Sequence, residues 1–95
     1  MNKSEAQEIL SEQLARYCSR SHSELSHLVE TEHVETYEIS AASGTRYQVE
    51  VQFFWDDQPG DVIRVVGSID DRDIRAFFPL SDSVFVTRNQ SLGAK

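Results

Sequence analysis

The sequence predicts an α+β fold in which one N-terminal helix, or two, packs on one face of a four- to five-stranded antiparallel meander sheet. Three observations predict it. Apolar residues recur at three and four positions up to about residue 30, whereas beyond residue 33 they alternate with polar ones. The alternating runs are separated by clusters of turn-forming residues too short to hold a parallel crossover.

The first helix is expected to start at Ser4, whose side chain can accept an orphan amide, with Glu5 and Glu8 placing negative charge in the first turn. Ala6, Ile9, Leu10, Leu14, Tyr17 and Cys18 form its apolar stripe, while Glu5, Glu8, Glu12, Gln13 and Arg16 lie largely off it. The run Ser19-Arg20-Ser21-His22-Ser23 favours a turn, and Ser23 followed by Glu24 can cap a second helix that carries Leu25, Leu28 and Val29 inward. Residues 4–30 therefore read as helical.

Residues 33–42 and 47–55 then form a hairpin around Ala42-Ser43-Gly44-Thr45. In the second of these strands Tyr47, Val49, Val51, Phe53 and Trp55 point one way, and Arg46, Gln48, Glu50 and Gln52 the other. The segment Asp56-Asp57-Gln58-Pro59-Gly60-Asp61 is a turn by composition. Further strands are expected at 62–69, at 74–79 after an Asp70-Asp71-Arg72-Asp73 turn, and at 83–88, with 89–95 as a frayed tail. Residues 33–88 thus make the sheet of a single domain spanning 1–95.

Composition narrows the function. Hydrophobic residues at 39% with 26% charged are globular proportions, and 95 residues suffice for one modest core. Nine Lys and Arg against 16 Asp and Glu give a net charge of −7, the wrong sign for a protein that grips phosphates, so nucleic acid is not an expected partner. The surplus is concentrated in residues 1–40, which hold eight acids and three bases. Such a region can meet a basic partner or simply keep the chain soluble. No stretch approaches the ~20 apolar residues of a membrane helix, and the N-terminus lacks a signal-peptide core. A single cysteine, Cys18, rules out an internal disulfide and multi-cysteine zinc patterns, so a cytoplasmic location and no membrane partner are expected.

The candidates for chemistry are few. Asp70, Asp71 and Asp73 form an oxygen-rich tip suited to a hard cation, which would make a small metal-dependent enzyme. The same residues are ordinary turn formers, and the glycine and distal glutamate of a calcium loop are missing. Asp56, Asp57 and Asp61 are explained by the turn around Pro59 and Gly60. His22, His27 and His33 lack metal-site spacing and read as surface residues; Cys18 reads as a small apolar residue of the helix stripe. A pocket lined by Tyr17, Tyr47 and Trp55 is conceivable, although these aromatics fit one shared core equally well. No cofactor is expected, because no phosphate loop, hydrolase elbow or dinucleotide fingerprint is present.

The departure with functional meaning is Phe54, which puts an aromatic on the polar phase of its strand. Val62 and Val66, in phase with Arg64, and Phe77 can join it in an apolar patch on the face away from the helices. This suggests a protein–protein interface with an unknown protein or a second copy of the chain, with Phe54 and Phe77 as anchors and Arg46, Arg64, Arg75 and Glu50 around them. The alternatives are that the tail or a crossing strand covers the patch, that the register is shifted by one, or that the arginines are cross-strand partners of Glu35, Glu38 and Glu50.

The strings FFWDDQPG at 53–60, GSIDD at 67–71 and RAFFPLSDS at 75–83 resemble a small stand-alone bacterial family of uncharacterised proteins. The resemblance spans residues 33–85 and implies no activity.

Overall fold

The structure, a computed structural model, describes residues 2–71 and 80–88. Among these residues two helices, α1 (Lys3–Tyr17) and α2 (His22–Glu30), precede four strands: β1 (Val34–Ser40), β2 (Arg46–Trp55), β3 (Ile63–Asp71) and β4 (Leu80–Val86). The strands pair antiparallel in the order β1-β2-β3-β4, and both helices pack on one face of this meander. The α+β architecture expected from the change of period is therefore the one observed.

The helix boundaries differ from expectation at their caps. Asn2, not Ser4, caps α1, its side chain accepting from the Glu5 amide at 3.1 Å. Ser21, not Ser23, caps α2 by accepting from the Glu24 amide at 3.0 Å. Each true cap lies two residues upstream of a serine that was an equally good chemical candidate. Extended backbone at Asn2 and Ser21 decides the matter, because a cap must lie outside the helix.

Ala6, Leu10, Leu14 and Tyr17 of α1 and Leu25 of α2 meet Tyr47, Val49, Val51 and Phe53 of β2 and Ile63, Val65 and Ile69 of β3 in one core. Cys18 and Trp55 pack partly buried against it. Gln13, expected off the stripe, is buried because its Oε1 accepts from the Tyr37 hydroxyl at 2.9 Å. His22, expected on the surface, is also buried. Its Nε2 meets the Asp61 carbonyl at 2.5 Å and its Nδ1 the Ser26 hydroxyl at 3.3 Å, so the ring joins the start of α2 to the loop after β2. A carbonyl only accepts, so Nε2 carries a hydrogen.

Two tight turns hold the register. Gly44 and Gly60 take φ values of 95° and 89°, a conformation costly for residues bearing a Cβ, in the two loops that flank β2. The strand expected at 62–69 runs on through Asp71, while that expected at 83–88 begins at Leu80 and ends at Val86. The strand expected at 74–79 and the tail lie outside the described residues. Among the described residues, no helix is long and apolar enough to cross a membrane.

Candidate functional site

Strand alternation sorts side chains onto two faces, and the face away from the helices is where the polar pattern breaks. Phe54 pairs with Arg64 across β2 and β3, and Arg64 pairs with Phe85 across β3 and β4. These three side chains therefore form one row across three adjacent strands, with the two rings about 10 Å apart by strand spacing. The Arg64 guanidinium carbon sits 5.9 Å from the Phe54 ring centre, close enough for cation–π attraction. The next row contains Val34, Gln52, Val66 and Ser83. Beyond it come Thr36, Glu50, Ser68 and Ser81, so the face turns polar toward the Ala41–Thr45 turn.

The large apolar residues found exposed among those described are Val34 at 44%, Phe54 at 41% and Phe85 at 48%, and all three belong to this face. A register shift of one residue would have put Phe54 in the core; its pairing with Arg64 shows that no such shift occurs. Val66 lies half-buried beside the row, on the same face as Arg64. Phe77 and Arg75 lie outside the described residues. The residue that accompanies Phe54 here is Phe85, which sequence reasoning missed. The signal was available, since Val84 and Val86 point inward and leave Phe85 on the opposite phase, the same break that singled out Phe54.

Two of the three carboxylates of the expected turn, Asp70 and Asp71, do not converge. Asp70 and Asp71 are the last two residues of β3 and therefore point to opposite faces, with Asp71 buried. Asp73 lies outside the described residues. Among the described residues, no group of three or more His, Cys, Asp or Glu is placed to hold a metal ion.

Nor do the three aromatics of the conceived pocket share one. Tyr17 ends α1, while the Tyr47 hydroxyl donates at 2.8 Å to Glu5 in its first turn, about 18 Å away along the helix axis. Burial and the Glu5 carboxylate push the Tyr47 hydroxyl up to about 12. At the other end, the Tyr17 hydroxyl donates to Glu35 Oε1, and burial together with that bond holds its pKa well above the ordinary phenol value. Glu35 also receives His33 at 3.4 Å and Arg20 at 3.9 Å. Its arginine partner thus comes from the link between the helices rather than from a strand. This inward-facing carboxylate was not foreseen; its partners are structural clamps that tie β1 to the helices.

A groove of about 530 Å³ opens at the end of the patch, where the C-terminus of α2 meets β1 and β2. Val29, Glu32, His33, Val34, Phe54 and Trp55 line it. Trp55 Nε1 donates to Glu30 Oε2 at 3.3 Å at the same end of the sheet.

No family model matches the chain, and no curated protein or solved structure is significantly similar to it. The resemblance over residues 33–85 therefore rests on its sequence strings alone and adds nothing to this site.

Proposed function

We propose that the chain is a protein-interaction module that uses the sheet face away from its helices, with Phe54 and Phe85 as anchors and Arg64 between them. The observation that carries this reading is the clustering on one face of the large apolar residues found exposed among those described, two of them in a single cross-strand row. A sheet face left to water normally keeps its outward positions polar, as the other end of this face does. An apolar centre with a polar surround is the composition of an interface core. The occupant is another protein or a second copy of the chain.

The test compares the wild type with Phe54→Glu and Phe85→Glu. Because both rings are exposed, each substitution should change folding stability by no more than about 0.5 kcal/mol in urea titrations. Each should at the same time abolish association with whatever protein the wild type retains from its host, or with itself. A control at Gln7, exposed on α1, should keep that association. Association unchanged by both substitutions would remove the sheet face from the function.

A further inference from the structure

We infer that the groove at the end of the patch accepts an arginine or lysine side chain from a basic segment of another protein, held between the Glu32 carboxylate and the Phe54 ring. The inference rests on the interaction reading above and names the chemistry of the partner.

Helix α2 ends in a Schellman motif: the Glu32 amide donates to the Val29 carbonyl and the His33 amide to the Leu28 carbonyl, each at 3.0 Å. The residue at the left-handed position of this motif is usually glycine. Here it is Glu32 at φ 52°, the sole non-glycine with positive φ among the described residues. The chain thus carries a carboxylate at a position where a side chain costs backbone energy, and that side chain lines the groove. Among the described residues no cation pairs with it, whereas nearby Glu35 is held by Arg20 and His33.

The Phe54 ring, which also lines the groove, suits a cation as well. The Phe54 ring already carries the Arg64 guanidinium near one side, so the ring's affinity for this group is used within the fold itself. The groove volume of about 530 Å³ is ample for a long basic side chain and its neighbours. Glu30 at the same end, and the chain's net charge of −7, add a field that draws basic segments toward it.

The experiment titrates the full chain with Ac-Ala-Arg-Ala-NH₂, its citrulline counterpart and Ac-Ala-Leu-Ala-NH₂, following backbone amide shifts. The arginine peptide should cause saturable shifts at Val29, Glu32–Val34 and Phe54–Trp55 that weaken as salt is raised, and the citrulline peptide should not. Glu32→Gln should weaken the arginine peptide about three- to fivefold. Glu32→Gly should weaken it similarly while raising the thermal midpoint by about 2–5 °C, because glycine relieves the left-handed residue. Equal binding of the leucine peptide, or no shifts with arginine, would overturn the inference. Phe85 does not line the groove, so peptide binding that survives Phe85→Glu while protein association is lost separates this site from the sheet face.

Discussion

Tyr47 is a core residue with a titratable hydroxyl, and that combination makes the fold sensitive to alkali. Its ring is fully buried and its hydroxyl donates to Glu5, so the folded pKa is raised to about 12, against about 10 in the unfolded chain. Between these values the unfolded state has lost the proton that the folded state keeps, so stability falls as pH rises. The contribution is fully present below pH 10 and is lost as pH climbs toward 12. Urea midpoints measured from pH 8 to 11.5 should decline above about pH 10, and Tyr47→Phe should flatten that decline. An unchanged slope in the variant would locate the alkaline sensitivity at Tyr17 and Tyr37, whose hydroxyls are also shifted upward by burial. Alternation revealed that Tyr47 faces inward, but nothing in it identified Glu5 as the acceptor 42 positions away. The same limit hid Gln13, buried for Tyr37, and Glu35, turned inward for Tyr17. Periodicity encodes which face is apolar, whereas a buried polar group depends on one partner brought in by tertiary packing.

Helix α1 lies close to the sheet because β3 presents a glycine beneath it. A Cβ placed on Gly67 would stand 2.9 Å from Leu14 Cδ2 and 3.0 Å from Leu10 Cδ1. Gly67→Val should therefore push α1 off its seat and cost about 1–3 kcal/mol, read as a lower urea midpoint at constant slope. Ser68→Val, one residue along and on the opposite face, should stay within about 0.5 kcal/mol, since a strand accommodates a β-branched residue well. Equal effects at the two positions would mean that α1 does not rest on Gly67. The elements themselves were legible because period and turn chemistry agreed: Tyr47–Phe53 alternate cleanly, and both turns flanking β2 carry a glycine where the backbone needs one. Their ends were less legible. Asn2 and Ser4, or Ser21 and Ser23, offer the same capping chemistry, and the choice is made by where the backbone leaves the extended conformation and enters the helix. Asp70 and Asp71 look like a turn by composition, but pairing with Gln48 and Tyr47 draws them into β3. That tertiary override of local preference also separated Asp70 from Asp71, two of the three carboxylates of the expected metal tip.

At the scale of the molecule, the distribution of charge separates the two possible occupants of the sheet face. Among the described residues, Arg46 and Arg64 stand on that face with Glu38, Glu50 and Asp70, so the described part of the face is close to balanced while the chain as a whole carries −7. Two copies brought together by this face would repel through their remaining charge, and salt would screen the repulsion and strengthen the dimer. A basic partner would be attracted by the same charge, and salt would weaken the complex. The strained Glu32 at the end of the patch, with no cationic partner among the described residues, favours the second case. Light scattering at low ionic strength should therefore return the 10.8 kDa monomer across a concentration series, with no rise in mass on adding salt. A mass near twice that value, growing as salt is raised and lost in Phe54→Glu and Phe85→Glu, would assign the face to a second copy. In that event the groove at Glu32 would still be measurable by the arginine peptide, because it opens at the end of the face and does not include Phe85.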